Sequence, residues 1–162
     1  MIRLIAAIDQ KRGIAKDGEM PWDIPEDEAY FTSQTKKYGG QVLTGSKTFE
    51  LAYKNKPLAD RHNYILTHKS VEILGATVVN DLKEFLEKMN RDQLDVWVAG
   101  GAGVFEQVMK LGFADELYLT EIDADYKCDQ FFPAYKSDFK LVNDSGLRQQ
   151  NGHKFAYKIY SK

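Results

Sequence analysis

Leu94-Asp95-Val96-Trp97-Val98-Ala99-Gly100-Gly101-Ala102-Gly103 reads as a short buried strand running directly into a glycine turn, and the next residues, Val104 to Leu111, continue as a helix. Strand, turn and helix make half of a parallel crossover. The same order occurs upstream. There Gln41-Val42-Leu43-Thr44 leads through Gly45 into a helix with Ser46 as the expected N-cap. Two such junctions in one chain indicate an α/β protein with a mostly parallel sheet.

The remaining segments extend this pattern. Residues 2 to 8 are apolar except for Arg3 and suit a central strand covered on both faces. His62 to Thr67 and Ala76 to Val79 read as further strands. Asn80 or Asp81 caps a helix whose Leu82, Phe85, Leu86 and Met89 form one apolar stripe. In Ala114 to Ile122, Leu117, Leu119 and Ile122 are available for burial, while Tyr118 and Thr120 are free to face a site. Phe139 to Val142 and His153 to Tyr160, joined through Gly146 and Asn151-Gly152, resemble an antiparallel hairpin at the C-terminal edge. Asp9 to Glu19 is expected to be a long, mobile polar loop. The expected architecture is one domain over residues 1 to 162, a mostly parallel central sheet flanked by helices.

Composition narrows the function. Twenty-two basic against twenty-four acidic side chains leave a net charge of −2, so no global field gathers nucleic acid or anionic membrane. No apolar run approaches the roughly 18 residues of a membrane span. Cys128 has no partner cysteine, which fits a reducing, cytoplasmic setting. His62, His68 and His153 are scattered without metal-ligand spacing, so no metal site is expected.

Met20-Pro21-Trp22-Asp23-Ile24-Pro25-Glu26-Asp27-Glu28-Ala29-Tyr30-Phe31 departs most from what folding alone requires. The prolines stiffen residues 20 to 25, and a helix is expected from just after Pro25 to near Lys36-Lys37. Glu26, Asp27 and Glu28 then occupy its first turn, where the helix dipole favours negative charge. That is their plain reading. Asp27 also shares a face with Phe31 at i+4, and a carboxyl held against aromatic rings is a candidate acid near neutral pH.

The two strand-to-helix turns are candidates for phosphate binding through backbone N–H groups. Neither carries a full motif, and either reads equally as a tight turn: Gly101-x-Gly103-x-x-Glu106 lacks the third small residue, and Gly45-Ser46-Lys47-Thr48 lacks the Walker spacing.

Taken in order, these pieces resemble the bacterial-type dihydrofolate reductases. The resemblance runs through Leu4 to Ala7, Met20-Pro21-Trp22, Pro25-Glu26-Asp27, Phe31, Gly45 to Glu50, Pro57-Leu58, Arg61-His62-Asn63, Val96 to Gly101, Asp115 to Thr120 and Phe131-Phe132-Pro133. It implies NADPH-dependent reduction of 7,8-dihydrofolate to tetrahydrofolate, antifolates as inhibitors, and a monomer. By position it implies catalytic roles for Asp27, Trp22 and Thr120: Asp27 bonded to the pterin and to Thr120 and promoting protonation of N5, with Trp22 orienting water. Ile5, Ala6, Ala7, Glu28 and Phe31 would border the substrate, and Arg61 would pair with its glutamate α-carboxylate. For the cofactor it implies Ala7, Ile14 and Met20, the last two on a loop of residues 10 to 24 that closes over the nicotinamide. Gly45, Ser46, Lys47 and Thr48 would form one phosphate turn and Gly100, Gly101, Ala102, Gly103 and Val104 the other, followed by Phe105. Thr67, His68 and Lys69 would read the adenosine 2′-phosphate.

Several positions depart from the family pattern. Glu28 stands where an apolar residue is usual, Phe49 replaces a tryptophan, Phe105 a tyrosine, Ala52 a larger apolar residue, and Asp60 a glycine from which it can compete for the Arg61 guanidinium. Two other readings are open. A ribosylamino-pyrimidine reductase of the same fold is disfavoured by Trp22, Asp27 and Arg61. A non-catalytic dinucleotide- or folate-binding module predicts binding without cofactor consumption.

Overall fold

The computed structural model describes residues 1–162. Strand β1 (Ile2–Ile8) is central, with β7 (Glu116–Ile122) on one side and β6 (Val96–Val98) on the other, and beyond β6 lie β3 (Gln41–Gly45), β4 (His62–Leu66) and β5 (Ala76–Val79). All these pairings are parallel. From β1 the chain steps outward through β3, β4 and β5, then returns to place β6 between β1 and β3. Such a reversal of strand order opens a crevice at the carboxyl ends of the strands.

The antiparallel edge is β11 (His153–Ser161), paired to β7. Its other side carries β9 (Lys140–Asp144) and β10 (Arg148–Gln150), so the expected hairpin exists with its outer strand broken between them. Two further short strands were not legible. β2 (Gly13–Ala15), inside the segment expected to be a loop, pairs with β8 (Gln130–Phe131), and two or three residues are too few to show a period.

Helices cover both faces. α3 (Leu82–Arg91) begins at Asp81, whose carboxylate accepts the Glu84 N–H at 3.0 Å, and buries Leu82, Phe85, Leu86 and Met89 as their spacing requires. α4 (Ala102–Lys110) buries Val104, Phe105 and Val108 on the same side of the sheet. α1 (Pro25–Thr35) and the six-residue α2 (Ser46–Leu51) complete the set.

Alternation along the strands sorts the core into layers. Leu4 and Ile8 of β1 face α3 and α4 in a cluster of 21 buried residues that also holds Leu43, Val98, Leu117 and Phe132. Ile5 points the other way, into a smaller cluster with Val42, Trp97 and Tyr118 on which Phe31 of α1 rests. α1 is only weakly amphipathic, and Thr35 is its one fully buried residue. Its position therefore depends on contacts at its ends. No helix is long and apolar enough to cross a membrane.

Candidate active site

Asp27 lies in the first turn of α1 and reaches across to β7, where the Thr120 hydroxyl donates to its Oδ1 at 2.5 Å. Burial pushes the carboxyl up to about 6; the Thr120 hydrogen bond opposes that rise, and the neighbouring charges of Glu28 and then Glu26 add to it. Helical geometry brings this about. Phe31, one turn on, occupies the apolar cluster of Ile5, Trp97 and Tyr118, so the face carrying Asp27 must turn toward the sheet.

The carboxyl looks into a cleft of ≈ 990 Å³ along the carboxyl ends of the strands. At one end stand Ile5, Ala6 and Ala7 of β1, Thr120, and Asp27, Glu28 and Phe31 of α1. Ala7 and Thr120 are paired in register, so small side chains beside Asp27 leave the floor open. Glu28 is exposed at the rim.

The other end is backbone. Gly45 to Thr48 and Gly100 to Phe105 line it, with Thr67 and His68 beyond. The turns are joined by the Gly45 N–H donating to the Gly100 carbonyl at 2.7 Å. Ser46 is the first residue of α2 rather than its cap; the N-cap is Gly45, and neither Gly45 nor Gly101, the cap of α4, supplies a capping side chain. The first N–H groups of α4 are thus left for another acceptor. Glycine is needed for close approach: a Cβ on Gly101 would stand 2.8 Å from Thr48 Oγ1, and one on Gly45 2.9 Å from Val104 Cγ2. A cradle of free N–H groups with lysine nearby suits a phosphate-bearing dinucleotide.

Ile14, Met20 and Trp22 form the wall contributed by the loop of residues 10 to 24. This loop is anchored more than its sequence indicated: Asp129 Oδ2 accepts the Asp17 N–H at 3.0 Å, and the Asp129 N–H donates to the Ala15 carbonyl at 3.0 Å. Met20 is 54% exposed, whereas Trp22 is 7% exposed and packs edge-on against Tyr126. The Trp22 indole N–H is buried without a protein acceptor. A donor in that condition at a cleft wall is suited to a bound water or ligand.

Two expected residues are not among those lining the cleft. Arg61 is half-buried behind α1, its Nη1 donating to Thr35 Oγ1 and its Nε to the Ala59 carbonyl, each at 2.9 Å, which leaves Nη2 unengaged. Asp60 does not hold this guanidinium by a salt bridge; it pairs with Lys36 at 3.6 Å. Lys69 is exposed beyond the cleft and donates its backbone N–H to Thr67 Oγ1 at 3.2 Å. Tyr30, Tyr53 and Leu58 line the cleft without having been selected. Tyr53 follows Ala52, and an aromatic directly after a shortened pocket residue was the available signal.

Comparison with known proteins identifies the family. A family model described as dihydrofolate reductase matches residues 1–162. The dihydrofolate reductase of Bacillus subtilis is 34% identical over 166 residues, covering 100% of this chain and 95% of its own. Those of Aedes albopictus and Drosophila melanogaster are 33% and 34% identical, each alignment covering 98% of this chain and 96% of the relative. Matched from end to end, the chain belongs to the dihydrofolate reductase family, oxidoreductases that reduce dihydrofolate.

Proposed function

We propose that residues 1 to 162 act as one catalytic domain that reduces 7,8-dihydrofolate to 5,6,7,8-tetrahydrofolate with NADPH, Asp27 promoting protonation at N5. The observation that carries this reading is the part-buried Asp27 carboxyl held by Thr120 where β1, β7 and α1 line the cleft. A carboxyl raised to about 6 is partly protonated near neutral pH, where an ordinary aspartate is not. NADPH supplies the hydride when bound. The protein's own groups bind, orient and exclude water. Asp27 bonds the pterin and passes its proton to N5 through a water, which the free Trp22 N–H orients. Ile5, Ala6, Ala7 and Phe31 enclose the pterin and benzoyl rings, with Glu28 at their rim. The open end of Arg61 receives the substrate's α-carboxylate.

The turns at Gly45 to Thr48 and Gly100 to Val104 hold the dinucleotide phosphates, with Phe105 behind them. Ala7, Ile14 and Met20 enclose the nicotinamide. Lys47 and Lys69, with Thr67 and His68, favour NADPH over NADH through the 2′-phosphate. A monomer in the cytoplasm, inhibited by antifolates, completes the reading.

Loss of NADPH absorbance on adding dihydrofolate to purified protein tests it. Binding of both ligands by titration without NADPH consumption would leave the non-catalytic module as the better account. Slower turnover of Asp27→Asn near neutral pH is the expected companion result, and full activity in that variant removes Asp27 from the role.

A further inference from the structure

The first turns of α1 are held by the C-terminal hairpin through a set of side-chain contacts. Arg148 of β10 presents a fork to Glu26, with Nε 2.9 Å from Oε2 and Nη2 2.8 Å from Oε1. Tyr157 of β11 donates its hydroxyl to the same Oε2 at 3.0 Å. The Glu26 N–H, one of the N–H groups a helix start leaves unpaired, donates to Gln150 Oε1 at 2.7 Å. Asn151 in the hairpin turn donates to the Asp23 carbonyl at 3.2 Å, and Tyr30 stacks on Tyr157 with centroids 3.9 Å apart.

Register makes these contacts relevant to the site. Tyr157 lies directly opposite Thr120 across β11 and β7. The carboxyls of the consecutive residues Glu26 and Asp27 are therefore received by two cross-strand neighbours. Their environments differ sharply. Arg148, and then Tyr157, hold Glu26 below the usual carboxylate range, so Glu26 is an anion beside the part-buried Asp27. The ionisable groups around Asp27 are Glu26, Glu28 and Tyr30 on its own helix and Tyr157 on β11, with Arg148 on β10 behind Glu26.

We infer that Arg148 is a positioning residue for Asp27: its fork on Glu26 seats the first turn of α1 so that Asp27 meets Thr120. The catalytic consequence rests on the proton-relay role proposed for Asp27; the positioning does not.

Titration of the Asp27 carboxyl by carbon-13 NMR in the full-length protein tests the inference in four forms: wild type, Arg148→Met, Glu26→Gln, and the double variant. In Arg148→Met the midpoint is expected to rise by about half a pH unit, because a first turn no longer seated by the fork weakens the Thr120 hydrogen bond that opposes the rise. In the Glu26→Gln background the same arginine substitution should produce no rise. An unchanged midpoint in Arg148→Met, or an equal rise in both backgrounds, overturns the inference. If Arg148→Met fails to fold, Arg148→Lys, which keeps the charge but not the two-point fork, is read by the same criteria. The pH profile of turnover separates the two proposals. A midpoint that moves in the NMR titration while the turnover profile stays in place supports the positioning of Asp27 and removes Asp27 from the proton relay.

Discussion

The Thr120 hydroxyl donates to Asp27 Oδ1 at 2.5 Å from the β7 position paired with Ala7. This bond stabilises the ionised carboxyl against the desolvation that raises it. Thr120→Val keeps the shape and removes the donor. The Asp27 midpoint should then rise above about 6, and the decline of turnover with increasing pH should begin later. A pH–rate profile from pH 5 to 9 checks this.

Asp27 should weaken the fold at neutral pH. Its folded carboxyl is raised from the usual 3.8 to about 6, so the native state binds the proton more tightly than the unfolded chain does. That contribution is fully present below pH 4 and is lost as pH rises through 6, a difference of up to about 3 kcal/mol by pH 7. Asp27→Asn should therefore raise Tm at pH 7, with the gain vanishing toward pH 4. Thermal melts across that range measure it.

Trp22→Phe separates packing from chemistry. The indole N–H has no protein partner to lose, so the loss of stability should be confined to packing, about 1–2 kcal/mol. On the water-orienting role proposed for Trp22, the kcat/KM for dihydrofolate should nonetheless fall by roughly tenfold. Denaturant unfolding beside steady-state kinetics gives both quantities.

Gly101→Ala places a methyl 2.8 Å from Thr48 Oγ1 in the floor of the cradle. The KM for NADPH should rise by about tenfold or more, roughly 1.4 kcal/mol, with little change in the KM for dihydrofolate. Equal effects on both would place the damage in the fold and not in the turn proposed to hold the cofactor.

Arg3 tests the opposite end of the sheet. Its buried guanidinium bridges Asp95 and Glu116, each at 3.0 Å, and stacks on Tyr38 at 3.9 Å. Arg3→Met leaves Asp95 with the Met1 amine and Glu116 without a salt-bridge partner, which should cost about 3 kcal/mol of stability. Both KM values should be unchanged, because these residues lie at the amino ends of β1 and β7, away from the cleft.

The architecture was legible because its signals are local and repeated. Val96 to Gly101 and Gln41 to Gly45 each showed a buried strand meeting a glycine turn, and Leu82, Phe85, Leu86 and Met89 showed a helical stripe. β2 was missed because three residues carry no period, and the break between β9 and β10 because both lie on an exposed edge with no buried face to mark it. Ser46 was misplaced by one residue as a cap, since its preference for that position is local while the Gly45 contact with Val104 comes from another helix.

The residue types at the site, the order of the turns and the presence of a carboxyl one helical turn from Phe31 were properties of the chain alone. Which of three consecutive acids enters the cleft was not. Glu26, Asp27 and Glu28 share one helical turn and similar chemistry, and spacing marked Asp27 only as a candidate. Tertiary structure separates them by what each meets: Arg148 and Tyr157 for Glu26, water for Glu28, and the Thr120 hydroxyl and burial for Asp27. The groups that make that distinction lie 93 to 131 residues away along the chain, and desolvation depends on which of them the sheet register brings alongside α1.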